Sequence, residues 1–186
     1  MTDTWKRLEN LYSKYSPDIL ADLMPGASKE EFDGLEKLLK IQLPQSFWLV
    51  YLIHNGQTGI AAPALVDWYL LPIKSIQKQW LLMSKLLDQG ALNAEATAKG
   101  PVQPVWWKTS WIPVGASGGG DFQCLDLDPA PGGKAGQIVT FLHTDGERCV
   151  AASSLLSWMD DCAKKFEQEG RKTADRKSIS GRKQKK

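Results

Sequence analysis

Asp121, Asp126, Asp128, His143 and Asp145 are the side chains best suited to chemistry, because carboxylates and imidazoles hold divalent metals and move protons. Their spacing argues against a shared site. Alternation along DFQCLD sends Asp121 and Asp126 to opposite faces of a regular strand, while Asp128-Pro129 and Thr144-Asp145-Gly146 read as turns. His54 on a helix and His143 at a strand end lack a visible carboxylate or nucleophile partner, so both read as structural or solvated. The run Ser117-Gly118-Gly119-Gly120 has the composition of a phosphate-cradling loop, but it precedes a strand and lacks the Gly-Lys-Ser/Thr ending. It reads as a flexible turn, free to mould to a protein partner. Cys124, Cys149 and Cys162 are odd in number and without CxxC spacing, which suggests buried free thiols. No catalytic residue, no metal site and no cofactor is expected.

These groups sit in a stretch, Trp106 to Trp158, that is rich in β-formers. Trp111–Val114, Asp121–Asp126, Gln137–Leu142 and Arg148–Ala151 are short apolar runs separated by Gly, Pro and Asp clusters, the pattern of an antiparallel meander. Ser153 or Ser154 can cap a closing helix that carries Leu155, Leu156, Trp158 and Met159. The preceding chain reads as helical scaffold. Trp5, Leu8, Leu11, Tyr12 and Tyr15 share one helical face, ended by Pro17. Ser28 and Glu31 match a capping box for a second helix, and Pro44 suits the first turn of a third, stopped by Asn55-Gly56. Trp68–Leu71 is a strand that joins the later sheet, the spacing from Ile73 to Leu87 predicts a fourth helix, and residues 91–104 read as loop. The fold class is α+β: a mostly antiparallel sheet with N-terminal helices and a C-terminal helix packed against it.

A length of 186 residues suits one domain with a real core, and no apolar run is long enough to span a membrane. The N-terminal MTDTWKRLEN has no secretory signal, so the expected compartment is cytoplasmic. Net charge is +2, yet from Lys164 onward ten Lys/Arg face three Asp/Glu; that +7 leaves −5 on residues 1–163. The domain is therefore divided as an acidic body, 1–169, and a basic, disordered tail, 170–186, suited to weak nucleic-acid or anionic-surface contact.

Pro25-Gly26 before a capped helix, Leu43-Pro44 with Tyr51, Asn55-Gly56-Gln57, Trp106-Trp107, Trp111-Ile112-Pro113, Asp121, Cys124–Pro129, Gly136-Gln137 and Trp158 occur in that order. Together they resemble the Smi1/Knr4 family of the SUKH superfamily, over residues 5 to 165. The resemblance implies an α+β binding module without catalysis. Bacterial members are commonly immunity proteins that neutralise a cognate toxin, many of them nucleases, and fungal members regulate cell-wall assembly. The leading expectation is an immunity protein that occludes a toxin by direct binding, with a regulatory scaffold as the alternative. An acidic body suits a partner with a basic active site. Candidate partner contacts are Asn55, Gly56 and Gln57 after a helix end, Trp68, Trp107 and Trp111 as aromatic anchors, and Asp121. Trp5, Trp48, Trp80 and Trp158 occupy apolar helix positions and belong to the core, and of Trp106-Trp107 one ring is expected inside and the other partly outside.

Overall fold

The computed structural model describes residues 2–183, with side chains up to Lys172. In chain order come α1 (Asp3–Tyr15), α2 (Pro17–Asp22), α3 (Lys29–Leu39), α4 (Gln45–Tyr51), β1 (Tyr69–Leu70) and α5 (Ile73–Asp88). They are followed by β2 (Thr97–Lys99), β3 (Trp111–Ala116), β4 (Phe122–Asp126), β5 (Gln137–Phe141), β6 (Glu147–Ala152) and α6 (Leu155–Lys183). The strands form one sheet in the order β1-β3-β4-β5-β6-β2, antiparallel except for the β2–β6 pair. This is the α+β class expected, with a mostly antiparallel sheet between helices.

Local chemistry explains the helix starts. Ser28 Oγ accepts from the Glu31 amide at 3.3 Å, while Glu31 Oε2 accepts from the Ser28 amide at 3.0 Å, the reciprocal cap predicted for α3. Ser154 Oγ accepts from the Ser157 amide at 3.1 Å at the head of α6. Pro17 does more than end α1: it opens α2, where a residue without an amide leaves no donor unpaired. Asn55-Gly56 do not stop α4, which already ends at Tyr51.

Helices cover both faces of the sheet, which is why every residue of β4 is buried. Alternation sends Ile112, Val114, Leu125 and Ile138 into a core with α1, α3, α4 and α6. It sends Trp111, Phe122, Cys124, Val139 and Phe141 the other way, against Met83 of α5. Residues 91–104, expected to be irregular, contain β2, held by parallel register from Thr97 opposite Glu147 to Lys99 opposite Cys149. The closing helix takes in residues 170–183 of the segment read as a tail; side chains from 173 onward and residues 184–186 lie outside the described residues. Gly170 is packed, since a Cβ there would sit 2.7 Å from the Tyr15 ring. Among the described residues no helix is long and apolar enough to cross a membrane.

Candidate partner-binding surfaces

Asn55, Gly56 and Gln57, expected as partner contacts, form a buried knot whose side chains are bonded within the fold. Asn55 Nδ2 donates to both Glu31 carboxylate oxygens at 3.1 and 3.2 Å, and its Oδ1 accepts from the Ile73 amide at 2.9 Å. One side chain thereby ties the start of α3 to the start of α5. Gly56 has φ +76°, and a Cβ there would run into the Leu71–Pro72 backbone. Gln57 Nε2 donates to Asp22 and to the Ala62 carbonyl, both at 3.1 Å, and its Oε1 accepts from the Ala64 amide at 2.8 Å.

That knot positions a surface which the sequence reading missed. The Asp22 carboxylate accepts from the Thr58 hydroxyl, the Gly59 amide at 3.1 Å and the Ile60 amide at 3.2 Å, as well as from Gln57. Burial alone would raise its pKa, but these bonds outweigh it and hold the carboxyl below the usual range. The loop so anchored displays Ile60, 92% exposed. Its signal in the sequence was Thr-Gly-Ile-Ala-Ala-Pro, an apolar run without helical or strand periodicity.

The tryptophans divide between core and surface. Trp107 and Trp111 are buried edge to face, ring centres 5.9 Å apart, with Phe141 5.3 Å from Trp107, so both rings pack chiefly inside the fold. Trp106 is the partly exposed member of its pair. Trp68 is half-buried and lines a groove of about 610 Å³ with Gln123 and Thr140 of the sheet and Trp158, Asp161 and Lys165 of α6.

Asp121 Oδ1 accepts from the His143 amide at 2.9 Å and lies 2.8 Å from His143 Nδ1, while Ser117 Oγ donates to Oδ2 at 3.3 Å. Burial pushes the Asp121 carboxyl up, yet the bonds from His143 prevail and leave it below its ordinary value. Ser117 meets the carboxylate, not the imidazole, so the order that a nucleophilic triad needs is not formed. His54 also has an acid, with Nε2 2.9 Å from Glu9 Oε1. Both histidines thus have carboxylate partners, contrary to the sequence reading. Asp126 stands in a separate network, accepting from Gln137 Nε2 at 3.0 Å and the Asp128 amide at 3.1 Å, and burial pushes its carboxyl above the usual range. Among the described residues no three His, Cys, Asp or Glu side chains are grouped to hold a metal ion.

A cleft of about 720 Å³ opens where β2 meets β6, lined by Leu92, Glu95, Thr97, Val105, Trp106, Trp107, Asp145 and Glu147 among others. Its walls are fixed from behind by Arg148, whose side chain is wholly buried. The guanidinium lies 4.8 Å from the Trp106 ring centre and 4.7 Å from that of Phe141. Its Nε donates to the Trp106 carbonyl at 3.1 Å, and its Nη1 to the Asp145 carbonyl at 2.6 Å and the Glu147 carbonyl at 3.3 Å, so it is bonded to both walls. Burial lowers the Arg148 pKa, against the attraction of Asp145.

Comparison with known proteins places this geometry in a family. The pattern of the SMI1 / KNR4 family (SUKH-1) matches residues 26–161. A cell wall biosynthesis/cell cycle regulator smi1 of Schizosaccharomyces pombe is 26% identical, over 86% of this chain and 34% of that protein. The cell wall assembly regulator SMI1 of Saccharomyces cerevisiae is 22% identical, over 84% of this chain and 39% of its own length. A glucan synthesis regulatory protein of Neurospora crassa is 21% identical, over 83% of the chain and 36% of the relative. The chain spans about a third of the length of these relatives. Since the matched residues run from the turn before α3 through the whole sheet and into α6, the chain belongs to the SMI1 / KNR4 (SUKH-1) family.

Proposed function

We propose that this chain is a non-catalytic, protein-binding regulatory domain of the Smi1/Knr4 type, acting in the cytosol on the assembly of the cell wall or on the signalling that controls it. The observation that carries this reading is the similarity, over 83–86% of the chain, to three fungal proteins named as regulators of cell-wall, cell-cycle or glucan processes. That similarity ranks regulation ahead of toxin neutralisation, the reading that the sequence put first. The anchored Ile60 loop and the two clefts supply surfaces of the kind that a binding domain uses, with side chains held in place before the partner arrives.

The test is a chimera in which this chain replaces the matching segment of the Schizosaccharomyces pombe relative, expressed in cells lacking that protein. Restored wall glucan and survival under wall stress are expected. The reading falls if the chimera accumulates as folded protein without restoring either, while the relative's own segment does. Abolition of a co-encoded toxin's activity by the purified chain would return the immunity reading to first place.

A further inference from the structure

The sheet ends in β2, with β6 on one side and, among the described residues, no strand on the other. Its three residues are exposed; the Thr97 amide donates to the Gly146 carbonyl at 3.0 Å, so alternation along the strand turns the Ala98 amide and carbonyl away from β6, toward the open edge. The cleft beside this edge carries Glu95, Asp145 and Glu147 on its wall, and among the described residues no lysine, arginine or histidine lines it. Glu147 stands opposite Thr97 in the register, which sets its carboxylate-bearing residue directly against the start of the edge strand. Trp107, 3% exposed, also lines the cleft, and its buried indole N–H meets no acceptor. Arg148 holds the Trp106 and Asp145 segments at fixed separation, so the cleft is built before anything enters it.

We propose that this cleft receives an extended, Lys/Arg-bearing segment of a partner protein, which adds to the open edge of β2 and sets its basic side chains against Glu95 and Glu147. The outward Ala98 amide and carbonyl set the register of the incoming strand, and the acidic wall selects its charge. Trp106, half-buried and with the Arg148 guanidinium over its ring, lines the cleft and offers its exposed part to an aliphatic stem. The lone cation nearest the strand on its own element, Lys99, lies at the far end of β2 and is not among the cleft residues. The proposal rests on the protein-binding reading above and names the chemistry of the partner.

The experiment is a titration of the isotope-labelled full chain with three synthetic peptides: one alternating Lys and Val, one alternating Glu and Val, and one alternating Lys and Pro. The last keeps the charge but fixes φ at about −65° and removes the amide at every second residue, which disfavours a regular added strand. The Lys/Val peptide is expected to shift the amide signals of Thr97, Ala98 and Lys99 and the Trp106 indole signal. Its affinity should fall at least about tenfold in the doubly substituted E95Q/E147Q chain, whose changes lie on the surface. Equal binding of the Glu/Val or Lys/Pro peptide, shifts confined to other regions, or an unchanged affinity in E95Q/E147Q would overturn it. If the chain ending at Lys172 binds the peptide more tightly than the full chain, the occupant is the chain's own basic terminus and the partner assignment falls. Should no peptide bind while the chimera restores the cell wall, this proposal fails and the protein-binding reading stands.

Discussion

Asn55 directs its side-chain amide into the fold, donating to Glu31 and accepting from the Ile73 amide. Asn55→Ala is therefore expected to destabilise the chain by about 1–3 kcal/mol in urea unfolding, because buried partners lose their bonds. Gly56→Ala should cost more than about 1 kcal/mol, since φ +76° and the nearby backbone both resist a Cβ. A contact role would instead leave stability unchanged for both. The sequence did reveal that Asn-Gly-Gln was a special turn, but not what it joined: the Asn55 partners lie 24 and 18 residues away. The same limit hid the histidine pairs, Asp121–His143 and Glu9–His54, which are separated by 22 and 45 residues. Residue type announces a capacity for bonding, whereas the identity of the partner is a property of the fold.

Among the elements, the Ile60 loop and the end of α6 have testable anchors. Asp22 has a depressed pKa, so its ionised form stabilises the folded loop above the ordinary carboxylate value of about 3.9, and this contribution is lost as pH falls through the lower folded value. Faster amide exchange at Gly59 and Ile60, after correction for intrinsic rates, is expected on such acidification and, at neutral pH, in Asp22→Asn. At the other anchor, Phe166 meets Tyr12 edge to face at 5.2 Å, Arg7 pairs with Glu167 at 2.8 Å, and Gly170 packs on Tyr15. Ending the chain after Ala163 should cost about 2 kcal/mol relative to ending it after Lys172, mostly from lost apolar burial, because the solvent-accessible, half-buried ion pair adds less. The long periodic helices and the apolar strands were legible. By contrast, β2 is three exposed residues, Thr-Ala-Lys, whose strand character comes from β6 rather than from composition. The six-residue α2 was similarly obscured by the proline that opens it.

At the scale of the whole molecule, charge and connectivity have separate consequences. Residues 173–186 contain six Lys/Arg and one Asp, so their +5 leaves −3 of the total +2 on residues 1–172. Weak binding of duplex DNA of arbitrary sequence, falling steeply with added salt, is expected of the full chain and should disappear when residues 173–186 are removed. Binding of the Lys/Val peptide should survive that deletion. The strand order adds a consequence in time. β2 waits for β6, about fifty residues downstream in the register, and β1 waits for β3, while α1 waits for α6. A ribosome that has delivered the chain from α1 through β2 has delivered helices with no sheet beneath them and one strand at each future edge without a neighbour. The Tyr12 ring lacks its edge-to-face partner in α6, Phe166, until synthesis has passed that residue. The domain therefore folds late and as a unit, and a nascent chain arrested before β6 is a substrate for chaperones rather than a half-built binding module.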